Sequence, residues 1–279
     1  MNHYRECSLC PRHCGVDRMA RSGFCGETSE IRVGRASLHY WEEPCVSGEN
    51  GSGTVFFSGC SLRCCYCQNH KISRGSQGTI VDTEKLANIF LNLQEQNAHN
   101  INLVTAEHYA PSVKKAILDA KKKGLVIPII LNSSGYVSDE VLDILHDVVD
   151  VYLVDFKYLD STTAKHYSLA EDYPSVAKRA LEKMVSVKPK IIYDEEGIIQ
   201  SGVIVRHLCL PGHKEESKRI LRYVHENYES QVVLSIMSQY TPVNKDSRFE
   251  NLLRKLIDEE YDEIIDFCLE IGVEDAFVQ

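Results

Sequence analysis

Three closely spaced cysteines are the residues of this sequence best suited to chemistry. Cys60, Cys64 and Cys67 form a C-x3-C-x2-C pattern within the segment SGCSLRCCYCQNH. A single loop with this spacing can bind three corners of an iron–sulfur cubane. Electron-transfer clusters and structural zinc sites are closed by four protein ligands, whereas three thiolates leave one iron open for a reaction. The alternative interpretation is a zinc knuckle or a set of unrelated buried thiols.

A second group of cysteines lies near the start of the chain. Cys7, Cys10, Cys14 and Cys25 have C-x2-C-x3-C-x10-C spacing. Four thiolates suit either a closed zinc site or a second, fully ligated [4Fe–4S] cluster, and the pattern does not choose between them. Cys45 is a further candidate ligand. Reduced structural cysteines are the simpler interpretation, but a segment of ~45 residues with few apolar anchors needs a metal or another staple to fold.

The elements that must position these cysteines follow from the hydrophobic pattern. From Gly53 onward, six β-rich runs alternate with amphipathic helical segments, and the runs are TVFF, INLVT, VIPIILN, DVYLVDFK, GVIVRHLCL and QVVLSIM. This order predicts a parallel sheet with right-handed crossovers. We expect an α/β fold of the partial (β/α)6 TIM-like barrel type, while periodicity alone also allows an open doubly wound sheet. Both architectures put the working site at the carboxyl ends of the strands.

The beginning of the chain differs in composition from the rest. It is rich in Cys, Arg and Gly and shows no sustained periodicity. We therefore predict a small Cys-rich metal-binding module over residues 1–45 and the partial barrel over residues 46–279, with a soft linker at residues 47–53.

Charge and cysteine placement limit the partners. The 279 residues include 40 acidic and 31 basic side chains, a formal net charge of −9, and no long Lys/Arg block. We therefore expect no nucleic-acid partner. The first ten residues lack the apolar core of a signal peptide, and no apolar run approaches the ~18 residues of a membrane helix, so we expect a cytoplasmic location and no membrane partner. Nine of the 11 cysteines lie at or before Cys67, which indicates metal rather than a secreted disulfide framework.

A resemblance to a known family makes the interpretation of the cysteine loop more specific. The pattern C-x3-C-x-aromatic-C, with Tyr66 in the aromatic place, resembles the signature of the radical S-adenosylmethionine (SAM) superfamily. The pieces CSLCPRHCGV, GFCG, HYWEEPCVSG, GTVFFSGCSLRCCYCQNHKIS, DFKY and VRHLCLPG resemble relatives of the pyruvate formate-lyase activating enzyme. The resemblance covers almost the whole chain.

The resemblance implies both cofactors and a reaction. A [4Fe–4S] cluster on Cys60, Cys64 and Cys67 would chelate the amino and carboxylate groups of SAM through its open iron. Reductive cleavage would then give methionine and a 5′-deoxyadenosyl radical, which takes a hydrogen atom from the substrate. Tyr66 is placed among the cofactor-binding residues on the same basis.

Residues at two further strand ends match positions that contact SAM in related enzymes. Glu107 follows the second strand, where the family carries a Gly-Gly-Glu-type segment, but this chain has Thr105 and Ala106 in place of both glycines. Asp155 and Lys157 end the fourth strand and match an Asp-x-Lys pair of activating enzymes. Charges at i and i+2 of a strand share one face, so both side chains can point into the same opening. A solvated Glu107 and a surface ion pair are the simpler alternatives.

The remaining strand ends carry polar groups with less specific patterns. Asn132 and Ser134 end the third strand, where they could bind the ribose or the methionine carboxylate of SAM or simply form a turn. Arg206 ends the fifth strand, and its guanidinium could hold a carboxylate. His207, which follows it, is more typical of a structural histidine.

Three functions are therefore open. The first is a radical SAM oxidoreductase that activates a glycyl-radical enzyme and takes electrons from a flavodoxin- or ferredoxin-like reductant. The second is a radical SAM enzyme that modifies a small metabolite or a peptide. The third is a non-catalytic iron–sulfur or zinc protein, which the polar strand ends disfavour because a scaffold does not need them.

Overall fold

The computed structural model describes residues 3–243 and 246–279. Its strands are β1 (Ile31–His39), β2 (Ser52–Phe57), β3 (Thr79–Val81), β4 (Ile101–Val104), β5 (Ile129–Ser133), β6 (Val151–Asp155), β7 (Ile192–Tyr193), β8 (Ile199–Leu208), β9 (Val233–Met237) and β10 (Ala276–Val278). Its α-helices are α1 (Pro44–Ser47), α2 (His70–Ser73), α3 (Thr83–Glu95), α4 (Ala110–Lys122), α5 (Asp139–Leu145), α6 (Ser161–Ser168), α7 (Tyr173–Val187), α8 (Lys214–Tyr228) and α9 (Asp258–Glu270). None of the helices within these residues is long and apolar enough to cross a membrane.

The strands form one large sheet in the order β10-β9-β8-β6-β5-β4-β2-β1-β3, with β7 paired to β8. From β2 to β10 every neighbouring pair along this order is parallel, whereas β1 is antiparallel to both β2 and β3. The six predicted strand-then-helix units are present in order, and they build the partial α/β barrel that the sequence indicates. Parallel pairing brings the carboxyl ends of β2, β4, β5, β6, β8 and β9 to one edge.

The two faces of the sheet have different neighbours because successive side chains of a strand point to opposite faces. On β6, Tyr152 and Val154 belong to the main core under the helices. Val151 and Leu153 belong to a smaller apolar cluster that includes Cys45 of α1. The short helix α1 therefore packs on the inner face of the barrel. Cys45 lies in this inner cluster and not among the amino-terminal thiols, which corrects its expected role as a further ligand.

The amino-terminal segment contributes a strand that the sequence pattern did not reveal. Strand β1 is nine residues long, and it pairs with β2 over residues 33–39. Most residues of β1 are partly exposed and do not alternate cleanly between apolar and polar, so hydrophobic periodicity does not indicate this strand. The division of the chain at residue 45 stays a prediction, but β1 belongs to the same sheet as the barrel strands.

Side-chain caps fix where several helices begin. Asp82 accepts a hydrogen bond from the Lys85 backbone N–H at the start of α3, and Asp160 accepts one from the Thr163 backbone N–H at the start of α6. Such caps satisfy N–H groups that have no partner within the helix. The position of α6 is important for the site because Ser168, the last residue of this helix, donates a hydrogen bond to Cys64 in the cysteine loop.

Candidate active site at the carboxyl ends of the strands

The loop that carries Cys60, Cys64 and Cys67 begins just after β2. Gly59 opens it with φ +87°, a conformation that glycine adopts without strain. A Cβ atom at Gly59 would lie 2.8 Å from the backbone oxygen of Cys25, so a side chain there would push the amino-terminal segment away from the loop. The predicted catalytic cysteines thus lie where the sequence pattern places them, at the end of the first parallel strand.

Each sulfur atom of the three cysteines has a hydrogen-bond partner. Cys60 Sγ accepts a hydrogen bond from the backbone N–H two residues further on, at 3.4 Å. Ser168 Oγ donates to Cys64 Sγ at 3.0 Å, and Cys67 Sγ lies 3.3 Å from Ser73 Oγ. Hydrogen bonds to the cysteine sulfurs are one way in which proteins set the potential of an iron–sulfur cluster. The three thiols and their partners therefore fit a [4Fe–4S] cluster with one open iron.

Protonation of these thiols depends on whether metal is bound. Burial raises the pKa of Cys60 and of Cys64, and for Cys64 the nearby Lys157 ammonium acts in the opposite direction. Because thiolate is the form that binds metal, iron binding here must displace thiol protons. Among residues 3–243 and 246–279, no group of three or more His, Cys, Asp or Glu side chains is arranged to hold a metal ion. In a cubane each thiolate binds a different iron atom.

Tyr66, predicted as a cofactor-binding residue, connects to the cysteine loop through a chain of hydroxyl groups. Its hydroxyl lies 2.6 Å from that of Tyr158, which in turn lies 2.8 Å from Ser168 Oγ. Ser168 donates to Cys64 Sγ, so the chain ends at a predicted cluster ligand. In this structure the hydrogen-bond partner of the Tyr66 hydroxyl is therefore another side chain, Tyr158. Sequence reasoning missed Ser168 because it is far from the cysteines along the chain.

A network of charged side chains lies at the ends of β5, β6 and β8. Arg206 Nε donates to Asp155 Oδ1 at 2.8 Å, and Arg206 Nη2 donates to Asn132 Oδ1 at 2.7 Å. Lys157 Nζ donates to the other oxygen of Asp155 at 2.7 Å. All four were predicted, from three different strand ends, and the structure brings them together. The alternative of a surface ion pair is wrong for Asp155 and Lys157, whose side chains are only 20% and 17% exposed.

Glu42 completes this network and was missed by sequence reasoning. Its carboxylate accepts a hydrogen bond from Arg206 Nη1 at 2.8 Å and another from Asn102 Nδ2 at 3.1 Å. The side chain is 8% exposed. The available signal was its place in the segment HYWEEPCVSG, which contributes to the family resemblance but gives no role to a single residue.

The charges of the network decide the protonation of Asp155. Burial alone would raise the pKa of Asp155, but the adjacent Arg206 and Lys157 outweigh it and hold the pKa below its usual value. Lys157 in turn has a raised pKa: burial would lower it, but Asp155 outweighs that effect. Both groups are therefore charged at neutral pH, as residues that bind an amino-acid ligand would need to be.

Glu107 is buried and lies between the cysteine loop and the network. It is 6% exposed, so the alternative of a solvated carboxylate is wrong. Burial raises its pKa, while the Ser133 side chain and the Ser134 backbone stabilise its charged form. Thr105, which stands where the family has glycine, has φ +58°. A β-branched residue with positive φ is an outlier, which indicates local strain beside Glu107.

Two other predicted residues have structural partners. The Ser134 hydroxyl accepts a hydrogen bond from the backbone N–H two residues on, at 3.4 Å, as expected for a turn. His207 contacts the Phe156 carbonyl through Nδ1 and Ser217 Oγ through Nε2, each at 2.8 Å. Burial lowers the pKa of His207 to about 4, and the structural interpretation of this histidine is confirmed.

The four amino-terminal cysteines lie together beside the cysteine loop. Cys10 interacts electrostatically with Cys7, Cys14 and Cys25, and burial raises the pKa of Cys10 to about 12. A Cβ atom at Gly23 would lie 3.4 Å from Cys14 Sγ and 3.6 Å from Cys25 Sγ. The grouping agrees with the sequence pattern, and the metal of this module stays a prediction.

Comparison with known proteins identifies the family. The model of the radical SAM superfamily matches residues 54–224, which include the cysteine loop and strands β4 to β8. The chain belongs to the radical SAM superfamily. Members of this family bind a [4Fe–4S] cluster and SAM, and the matched residues include the three-cysteine loop.

The chain is also similar to individual known proteins. The chain is 28% identical to an uncharacterized protein of Methanocaldococcus jannaschii, over 96% of this chain and 75% of the relative. It is similar in fold to SuiB of Streptococcus suis bound to its precursor peptide SuiA, with a TM-score of 0.52 and 10% identity over 79% of this chain. SuiB bound to S-adenosylmethionine matches equally well. The chain spans slightly less than half of the SuiB chain, 46% in the peptide complex.

Proposed function

We propose that this radical SAM enzyme acts on a peptide segment, and that its physiological reaction removes a hydrogen atom from a backbone glycine of a glycyl-radical enzyme. The observation that carries the proposal is the partly buried Asp155-x-Lys157 pair beside the cysteine loop. The pair matches the Asp-x-Lys of activating enzymes, and Lys157 interacts electrostatically with Cys64. A SAM molecule held at the loop would therefore lie within reach of Lys157.

Different residues of the site would bind different groups of SAM. With a reduced cluster and SAM bound, the chemistry supplied is a 5′-deoxyadenosyl radical, which takes one hydrogen atom from the substrate and becomes 5′-deoxyadenosine. Lys157 offers an ammonium to the methionine carboxylate, and Glu107 offers a carboxylate to the methionine ammonium. Arg206 and Lys157 keep Asp155 charged, and Glu42 holds the Arg206 guanidinium in place.

The inner face of the barrel favours a peptide over an apolar metabolite. Glu43 Oε2 and Asn102 Oδ1 are buried hydrogen-bond acceptors that have no partner within the described residues. A buried acceptor without a donor is costly, and a substrate that supplies N–H groups removes that cost. A peptide backbone carries one N–H group per residue apart from proline. The peptide complex of SuiB supports the proposal by showing that this fold admits a peptide in that protein.

The experiment uses anaerobically reconstituted full-length protein with dithionite and SAM. The wild type is compared with Cys64→Ser, which removes a cluster ligand, and with Cys65→Ser, which removes the adjacent thiol outside the motif. Formation of 5′-deoxyadenosine is measured alone and with a glycyl-radical enzyme of the pyruvate formate-lyase type. Electron paramagnetic resonance of the partner reports the glycyl radical directly.

We expect 5′-deoxyadenosine from the wild type and from Cys65→Ser but not from Cys64→Ser. We also expect the partner to increase the product and to acquire a glycyl radical. Product without any effect of the glycyl-radical partner would overturn glycyl-radical activation and leave modification of another peptide or of a metabolite. Absence of product from a wild type that contains iron and SAM would overturn the proposed reaction itself.

A further inference from the structure

Arg18 is a buried cation whose hydrogen-bond partners are uncharged. Its side chain is 0% exposed. The guanidinium donates to the backbone oxygens of His108, Glu27 and Thr28, at 2.5, 3.2 and 2.6 Å. No ion pair joins Arg18 to a carboxylate within the part of the chain that the structure describes. A buried charge without a counter-charge is strongly unfavourable, so an anion belongs close to Arg18.

The guanidinium faces the rings of Tyr4 and Tyr109, at 5.2 and 5.4 Å from their centroids, and the amino-terminal thiols. Arg18 Nη1 lies 3.8 Å from Cys7 Sγ, and Arg18 also interacts electrostatically with Cys25. Cys10 and Cys14 complete the group of four. Thiolates bound to metal would supply the missing negative charge, because four thiolates outweigh the positive charge of one zinc ion or of a four-iron core.

The arrangement of the thiols favours a cluster over zinc. A zinc ion requires four sulfur atoms at about 2.3 Å from one point. No set of described side chains converges in that way, and this holds for Cys60, Cys64 and Cys67 as well as for the amino-terminal four. The first set belongs to a family that binds a [4Fe–4S] cluster. The amino-terminal thiols resemble Cys60, Cys64 and Cys67 in one respect: they lie close together, but their sulfur atoms are not arranged around a single metal ion.

The two thiol groups are joined through the backbone. The Cys60 N–H donates to the Cys25 carbonyl at 3.1 Å, and Arg63 donates to the adjacent Phe24 carbonyl while interacting with both Cys60 and Cys25. We propose that Cys7, Cys10, Cys14 and Cys25 hold a second [4Fe–4S] cluster, with Arg18 as its buried counter-charge. Four protein ligands close this cluster, so it does not bind SAM.

The test counts metals in the full chain after anaerobic reconstitution with iron, sulfide and an equal amount of zinc. We expect about eight iron atoms per wild-type chain and about four in each of two variants. One variant carries Ser in place of Cys60, Cys64 and Cys67, and the other carries Cys10→Ser and Cys14→Ser. Cys268→Ser, in helix α9, is the matched control and should keep about eight. About four iron atoms in the wild type, with or without one zinc, would overturn the proposal.

The role of Arg18 has its own measurement. In the variant that lacks Cys60, Cys64 and Cys67, only the amino-terminal cluster remains, and its reduction potential can be titrated. A positive charge next to a cluster stabilises the reduced form, so Arg18→Met should lower the potential and Arg18→Lys should lower it less. Equal reduction potentials with Arg18 unchanged, with Arg18→Met and with Arg18→Lys in this variant would overturn the proposed role of Arg18 as a counter-charge to the cluster. Since this readout does not involve SAM cleavage, it is independent of the proposed function.

Discussion

The guanidinium of Arg206 on β8 and the carboxylate of Asp155 on β6 meet across neighbouring strands, with Nε and Oδ1 2.8 Å apart. Two further carboxylate contacts, from Lys157 to Asp155 and from Arg206 to Glu42, extend this pair into a network of four charges. Two positive and two negative groups balance each other in a partly buried site. Loss of one charge therefore affects the others.

Arg206→Met should destabilise the folded protein by about 3 kcal/mol, because it leaves Asp155 and Glu42 without their shared cation. The free energy of unfolding, measured anaerobically in urea, checks this. Arg179→Met is the matched control, since Arg179 and its partner Asp139 are about half exposed, at 53% and 46%. Its effect should stay within about 1 kcal/mol. Similar losses in the two variants would contradict the importance of the buried network.

Lys157→Met should weaken SAM binding about tenfold or more, because a charge-assisted hydrogen bond to the SAM carboxylate is lost. Lys165→Met is the control: Lys165 is 63% exposed and pairs with Glu171 on the surface. Equilibrium dialysis of SAM against reconstituted protein gives both dissociation constants. An unchanged constant in Lys157→Met would remove Lys157 from the SAM site.

Features that depend on local pattern were predictable from the sequence. The six parallel strands follow from alternating apolar runs and amphipathic helices, and a parallel sheet necessarily gathers its carboxyl ends at one edge. Asp155 and Lys157 could be placed at that edge because they lie at the end of an apolar strand. The cysteine loop was predictable for the same reason, since its three ligands lie within eight residues of one another.

Features that depend on contacts between distant segments were not predictable. Glu42 lies 164 residues from Arg206 along the chain, and Ser168 lies 104 residues from Cys64. Neither residue type nor spacing indicates such partners, which come together only when the chain is folded. Strand β1 was missed because its neighbours β2 and β3, and not its own periodicity, give it a partly buried environment.

Ser168→Ala should lower the reduction potential of the catalytic cluster. The Ser168 hydroxyl donates to Cys64 Sγ, and a donor to a ligand sulfur stabilises the more negative, reduced state. Tyr66→Phe is the matched control, because it removes the hydroxyl next to Tyr158 but keeps the hydrogen bond from Ser168 to the sulfur. Redox titration followed by electron paramagnetic resonance measures both variants. A lower potential in Tyr66→Phe with no change in Ser168→Ala would contradict this assignment.

The buried His207 should make stability depend on pH below neutrality. Its pKa is lowered to about 4 by burial, whereas an unfolded histidine has a pKa of about 6.5. Between these values the unfolded chain binds a proton that the folded protein does not, so stability falls as the pH is lowered. The contribution is about 1.4 kcal/mol per pH unit.

Replacement of this histidine should remove that contribution and leave the rest of the pH profile unchanged. In His207→Asn the slope of unfolding free energy against pH, measured anaerobically between pH 5 and 6.5, should be smaller than in the wild type by about 1 kcal/mol per unit on average. Above about pH 8 the two slopes should agree, because His207 is then neutral in both folded and unfolded protein. Parallel profiles over the whole range would mean that His207 is protonated equally in both states, contrary to its burial between Phe156 and Ser217.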